Sequence, residues 1–415
     1  MIEREPGRFR LLLGAAGISN LGDGIAQAAM PLLVASITRD PVLVAGAFIA
    51  SQAPWLLFAL VSGAFVDRLD RRLTMVIVDS IRAAVIAVLG IAALTGRAEI
   101  WLIYLIGFLL TSAETLFDPA SEAILPQLVG RERLAHANSR LQSVTWVANS
   151  FVGPPLGAAM FSVMAGLPFV VDALSFVVAA VLVARIPGQY RAERPEGGKS
   201  GLRNEVTDGL RFIANHRVLR WTTPMAGLTN FASFAIIAIF VLYAQDVLGL
   251  DAFGYGLLLS SLGIGGLVGA VAAGSIVGRL GAAGAIRITL VIGVLSTLTF
   301  VLITNPIAAG IAVAAFGFQI TLWNVTVVSL RQELVPDRLR GRVAGASRLV
   351  TWGVQPLGAL AGGVLASALG LRAPFVFAVA VLMIAAVIAW FALTPQSIET
   401  ARREAARREA ASSAG

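Results

Sequence analysis

The sequence predicts an all-α integral membrane protein with twelve transmembrane helices in two six-helix halves related by a pseudo-twofold axis. Three observations predict it. Of its 415 residues, 57% are hydrophobic and only 13% charged, and apolar runs long enough to cross a bilayer as helices recur along the chain. One long polar stretch divides these runs into six and six. Short motifs of the first half return in the second.

In lipid, every backbone group must be satisfied within its own segment, so helices are the economical solution, and the period-2 pattern of barrel strands is absent. Spans are expected near 10–37, 42–66, 74–95, 99–124, 138–164 and 167–187, then near 218–247, 253–278, 285–303, 306–332, 341–368 and 372–394. The first run contains Asp23 and is too long for a signal-peptide core, so it reads as a retained span. Domain bounds follow: 1–187 and 217–394 for the helical halves, 188–216 for the linker and 395–415 for the tail. Leu202, Val206, Leu210 and Ile213 lie at helical spacing, which predicts a surface helix at about 202–215 tethering the two halves. The tail, with RREAARREA, favours helix through its alanines and alternating charges.

Charge sets the orientation. With the N-terminus inside, 28 of the 32 basic residues fall in cytoplasmic segments. The outer loops hold Arg39, Arg97 and Arg372, and Arg82 lies within the third span. That asymmetry places both termini and the linker in the cytoplasm.

The halves repeat. Leu128-Val129 recurs as Leu334-Val335 and Thr145-Trp146 as Thr351-Trp352, all offset by 206, and Pro155-Leu156-Gly157 is echoed by Pro356-Leu357-Gly358. Parallel six-span repeats of this kind hold a substrate site at their interface near the membrane midplane.

Charges inside spans are costly and mark function. The first half holds Asp23, Asp79, Arg82, Glu114, Asp118, Glu122 and Asp172, whereas the second has no carboxylate deep in a span. Asn20, Asp23 and Gln27 share one helix face and are expected to line the cavity. Glu114, Asp118 and Glu122 stack at intervals of four. Carboxylates one turn apart in a low dielectric do not both ionise cheaply, which suits a proton carrier. Glu114 is deepest and first choice, with Asp23 and Asp118 as further candidates. Asp118 and Glu122 have the alternative of pairing with Arg82, Arg71 or Arg72 at a cytoplasmic gate. Asp79 and Arg82, three apart, are expected to pair locally. Asn149, Asn230, Phe231, Phe234, Trp323, Asn324 and Gln355 are polar or aromatic span residues suited to a cavity for an amphiphilic organic substrate.

Zero cysteines exclude disulfides and thiolate metal sites, and His136 and His216 both fall in loop-like stretches. No phosphate-cradling G-x-x-x-x-G-K-[ST] motif is present, which disfavours an ATP-driven pump within this chain. No metal, cofactor or nucleic-acid partner is expected. A membrane-embedded lipid-modifying enzyme would need a catalytic loop or domain, and none is evident.

The segment Gly63-Ala64-Phe65-Val66-Asp67-Arg68-Leu69-Asp70-Arg71-Arg72 resembles the signature loop between the second and third spans of the major facilitator superfamily, which usually has glycine where Asp70 stands. That resemblance implies a gate of Gly63, Asp67, Arg68, Arg71 and Arg72, with Arg82 and Glu122, that holds the cytoplasmic side closed in the outward state. The second copy, Gly274 to Leu280, has Gly278 in place of Asp67. Gly153-Pro154-Pro155-Leu156-Gly157 resembles the antiporter motif of drug-efflux members, with a packing kink as the plainer reading. Such antiporters usually carry an arginine in the fourth span, and Trp101 to Leu125 has none. Glu114…Asp118-Pro119-Ala120…Leu125-Pro126…Leu134-Ala135-x-Ala137-Asn138 is similar to the branch of macrolide-efflux proteins and the enterobactin exporter. The resemblance implies a monomeric exporter of drug-like or siderophore-like molecules by proton antiport with alternating access, in a bacterial inner membrane. The alternative is an importer or facilitator on the same fold.

Overall fold

The computed structural model describes residues 7–66, 69–188, 190 and 202–413, and every regular element among them is helical. Four long helices come first: α1 (Gly7–Ile37), α2 (Pro41–Val66), α3 (Arg71–Leu94) and α4 (Ile100–Val129). A short 3-10 turn at Arg131–Arg133 leads into α5 (Leu134–Trp146), a π-helical stretch at Val147–Val152, and α6 (Gly153–Val163). Then follow α7 (Leu167–Ala184) and α8 (Leu202–Asn215). The remainder comprises α9 (Leu219–Ile237), α10 (Phe240–Leu242) with a π turn at Tyr243–Val247, α11 (Ala252–Leu302) and α12 (Pro306–Leu334). After a 3-10 turn at Asp337–Leu339 come α13 (Arg340–Trp352), α14 (Gln355–Leu369), α15 (Ala373–Ala392) and α16 (Pro395–Ser413).

Among the described residues, eight helices are long and apolar enough to cross a membrane, or nine when α9 is joined to α10 and its π turn across a 46° bend. The remaining expected spans are masked by local chemistry. Gly281, at φ 68°, divides α11 into two helices. The π stretch leaves α5 and α6 each too short alone, and Asn20, Asp23 and Gln27 dilute the apolar character of α1. With these, the helices are consistent with the twelve expected spans.

The repeat is carried into structure. The 3-10 turn and helix at Arg131–Arg133 and Leu134–Trp146 recur at Asp337–Leu339 and Arg340–Trp352, again offset by 206.

Contacts group the chain into two compact units, Met1–Gly197 with Val241–Gly263, and Gly198–Phe240 with Ile264–Gly415. Segment 241–263, expected within the second half, therefore packs with the first. Its small residues explain this: Gly256 meets Ala158 and the Pro154 carbonyl, and Gly263 meets the Ser150 carbonyl. The first unit's core includes Phe9 and Leu12 of α1, Met75 of α3, Ile124 of α4 and Val183 of α7. The second unit's core joins Met225, Ile286, Leu290, Trp323, Leu330 and Ala389. Lipid offers no hydrophobic drive between helices, so close packing holds them. Residues such as Val163 and Val271 remain exposed, as lipid-facing side chains do.

The linker helix forms over the expected residues, as α8. α8 docks on α13: Ile213 is buried with Val335, Val343 and Ala346, Gly209 lies against the Arg342 carbonyl, and Arg342 bonds Asp208 at 2.9 Å.

Candidate functional site

Arg82 is the centre of the site. It lies three turns into α3 and is 5% exposed. Its Nη2 donates to Asp23 of α1 at 2.8 Å, and its guanidinium stands 4.2 Å from the Phe176 ring centroid of α7. Arg82 therefore does not pair with Asp79 as the spacing predicts, and its partner lies on α1. The reason is rotational: a partner on a neighbouring helix reaches the guanidinium in better geometry than one on the same turn.

Asp79 is left alone. It is fully buried, and neither carboxylate oxygen has a hydrogen-bond partner among the described residues. Asp172 of α7 is also buried and accepts from Ser175 at 3.3 Å. Asp23, Glu114, Asp79 and Asp172 all act on Arg82 electrostatically. Of these carboxylates only Asp23 touches the guanidinium, and the others are buried or half-buried residues of α3, α4 and α7. Asp118, one turn beyond Glu114, also senses Arg82 and Glu122. The sequence points to Asp23 and Glu114 as proton carriers, puts Asp79 in a local pair, and counts Asp172 among the costly span charges without assigning it a partner.

The helix break beside this cluster has a plain cause. Pro155 has no N–H to give the Phe151 carbonyl four residues back. Ser260 Oγ of α11 supplies the missing donor at 3.0 Å. Gly24 of α1 lies so close that a methyl group there would stand 2.5 Å from the Asn149 carbonyl, and one at Gly153 would stand 2.6 Å from the Gly24 Cα. At Gly157 a methyl would collide with the Ile25 carbonyl. Gly153, Pro154, Pro155 and Gly157 therefore form a close crossing of α1 and α6 next to Asp23.

At the start of α3, Asp70 explains its departure from the usual glycine. One oxygen caps the helix by accepting from Leu73 N at 3.0 Å, and the other accepts from Tyr190 N at 3.1 Å. Arg71 Nη1 donates to the Ala123 carbonyl and Arg72 Nη1 to the Ile186 carbonyl. These arginines clasp backbone of α4 and the end of α7 instead of pairing with Asp118 or Glu122, whose side chains are exposed. Gly63 lies near the end of α2, and Asp67 and Arg68 fall outside the described residues.

The expected cavity residues divide. Asn20 Nδ2 donates to its own helix at Ala16, Gln27 is exposed, and Asn149 is half-buried in the π stretch. Three residues of the second unit are engaged in packing. Asn230 donates to the Thr351 carbonyl at 2.9 Å, Phe231 stacks edge-on against Phe377, and Trp323 is buried in the apolar core. Helix-to-helix contact claims these side chains. Phe234 is half-buried, Asn324 is exposed, and Gln355 is buried at the start of α14. No group of residues suited to a metal ion occurs among the described residues.

Residues 5–411 match the model of the transmembrane secretion effector family of the major facilitator superfamily. The chain belongs to that family. Multidrug efflux pump Tap of Mycolicibacterium fortuitum is 27% identical over 426 residues, covering 94% of this chain and 97% of that protein. Macrolide efflux protein A of Streptococcus pyogenes is 25% identical over 243 residues, 58% of this chain and 59% of that protein. Among solved structures, a bacterial homologue of the iron transporter ferroportin in an inward-facing state aligns with a TM-score of 0.75 at 18% identity, covering 92% and 97%. The nucleoside transporter NupG aligns at 0.73 and 12% identity, covering 94% and 99%. At such identities the solved structures speak for the fold alone. Family and fold are those of multi-pass membrane transporters.

Proposed function

We propose that this chain exports hydrophobic or amphiphilic organic molecules across a bacterial plasma membrane in exchange for protons. Export is supported by its relatives, named as multidrug and macrolide efflux proteins, with Tap aligned over nearly the whole chain. The arginine asymmetry supports cytoplasmic termini. The observation that carries the coupling is the buried Arg82–Asp23 pair at 2.8 Å with the buried, unpartnered Asp79 one turn away on the same helix. A buried carboxylate held by one guanidinium, with a second buried carboxylate left without a partner one turn away, is an arrangement suited to passing a proton in exchange for a change of ion-pair partner.

A step follows from the geometry. A proton arriving on Asp23 removes the charge that holds Arg82. The guanidinium then turns to a second carboxylate, Glu114 or Asp79, which gives its proton up towards the cytoplasm. One proton enters and one leaves, so the cluster's charge is unchanged while Arg82 changes partner. Asp23 adjoins the Gly24–Gly153 crossing, so this exchange is placed to move α1 against α6. Asp118 is the next carboxylate along α4. Asp67 with its arginines would close the cytoplasmic side in the outward state.

The test is drug-dependent proton movement in inverted vesicles carrying a pH-sensitive dye, with wild type, Glu114→Gln, Asp79→Asn and Asp23→Asn. Wild type should move protons when amphiphilic drugs are added, and at least one neutral variant should not. Drug transport without proton movement in wild type would end the antiport reading.

A further inference from the structure

In the second unit, where the end of α8, the start of α9 and α16 come together, Arg217, Arg220 and Arg408 line a cavity of about 350 Å3 with Asn215, His216 and Glu404. Among the described residues none of the three arginines forms an ion pair, and Glu404, one turn before Arg408, does not reach it. Three guanidinium groups thus converge against one carboxylate. Nothing in the transport reading uses them.

Arg217 and Arg220 also form one end of an adjoining groove of about 520 Å3. Its walls are Trp221, Val387, Ile388 and Phe391, and Phe391 is 78% exposed. Trp221 is in the first turn of α9 and Phe391 in the last turn of α15, so the groove begins at the membrane boundary and runs along lipid-facing helix. Tryptophan at that level, with Arg220 5.7 Å over its ring, is the pattern of an interfacial anchor. A cationic cavity opening into an apolar groove at the bilayer surface matches one ligand chemistry, a phosphodiester carrying acyl chains.

We propose that this cavity and groove bind an anionic phospholipid, with its phosphate among Arg217, Arg220 and Arg408 and an acyl chain along α15. The headgroup bridges α16 to the start of α9. A free phosphate would need the cavity but not the groove, and this separates the two sources.

The experiment is native mass spectrometry of the full chain in detergent, titrated with phosphatidylglycerol, with phosphatidylcholine, and with inorganic phosphate as competitor. Phosphatidylglycerol should bind in preference to phosphatidylcholine. The combined Arg217→Gln, Arg220→Gln, Arg408→Gln variant should bind it roughly a hundredfold more weakly, with about a fivefold loss for Arg220→Gln alone as the milder substitution. Phe391→Ala should weaken the phospholipid while leaving the arginines in place. Equal binding of both lipids, unchanged affinity in the triple variant, or full displacement by phosphate with no effect of Phe391→Ala would each overturn the proposal. Melting of the same variants in phosphatidylcholine shows that they are folded, and anionic lipid should raise the melting temperature of wild type but not of the triple variant.

Discussion

At the crossing of α1 and α6, Gly157 sits against the carbonyl of Ile25. At the crossing of α9 and α14, Gly358 and Gly362 sit against those of Phe231 and Ala235. In each unit, small residues let two backbones approach as side chains would forbid. The interiors beside these crossings differ. The first holds Asp23, Asp79, Arg82 and Asp172. The second holds hydroxyls that satisfy themselves: Thr229 bonds the Ala226 carbonyl, Thr289 that of Ile286 and Ser296 that of Gly293. A hydroxyl returning to its own helix needs no partner elsewhere, whereas a buried charge does. The repeated chain has kept its packing in both copies and concentrated its charge in one.

The largest expected effect tests the charge. Arg82→Gln leaves the carboxylates without a counter-charge and should cost about 3–5 kcal/mol, read as a large drop in melting temperature and lost transport. Thr289→Val, equally buried in the second unit, should cost no more than about 1 kcal/mol. Equal melting of the two variants would break the comparison.

Packing should be shared. Gly157→Ala and Gly362→Ala each force a methyl group into a neighbouring carbonyl and should destabilise by about 1–3 kcal/mol. If only one of them destabilises, the two crossings are not equivalent, whatever their sequence echo. Asp79→Asn sharpens the point. It replaces a carboxylate without partners by a neutral group of the same shape, so melting should shift by less than the Gly157→Ala shift, while drug-driven proton movement should fall.

The apolar runs, the offset of 206 and the helix at 202–215 were legible in the sequence because each is local or periodic. Pro154-Pro155 likewise announced a break. Side-chain partners were not legible, because they depend on how helices rotate about their axes. The Asp79–Arg82 spacing pointed to a local pair, yet Arg82 turns to Asp23 on another helix. Trp323 read as a cavity aromatic and is core. Asp70 read as a departure from a motif, and its role as a cap that also holds Tyr190 needed a contact 120 residues away.

The smallest effect concerns the titration of His216, at the edge of the second unit. His216 is buried before α9, and its Nδ1 accepts from Val218 N at 3.2 Å and Leu219 N at 3.3 Å, a cap that requires the unprotonated ring nitrogen. Burial, then Arg408, lowers its pKa, with Glu404 opposing. The unfolded chain, near the ordinary value of about 6.5, therefore binds the proton more readily than the folded one. The stability tied to neutral His216 is full above that value and is lost as pH falls through the window beneath it, by at most about 1.4 kcal/mol per pH unit. His216→Asn keeps an accepting oxygen for the cap but cannot protonate. Its melting temperature should match wild type near pH 8 and exceed it near pH 5. Carboxylates elsewhere in the chain titrate in both proteins, so the difference between the two curves isolates His216. Parallel curves would show that the cap at the start of α9 does not depend on the protonation of His216.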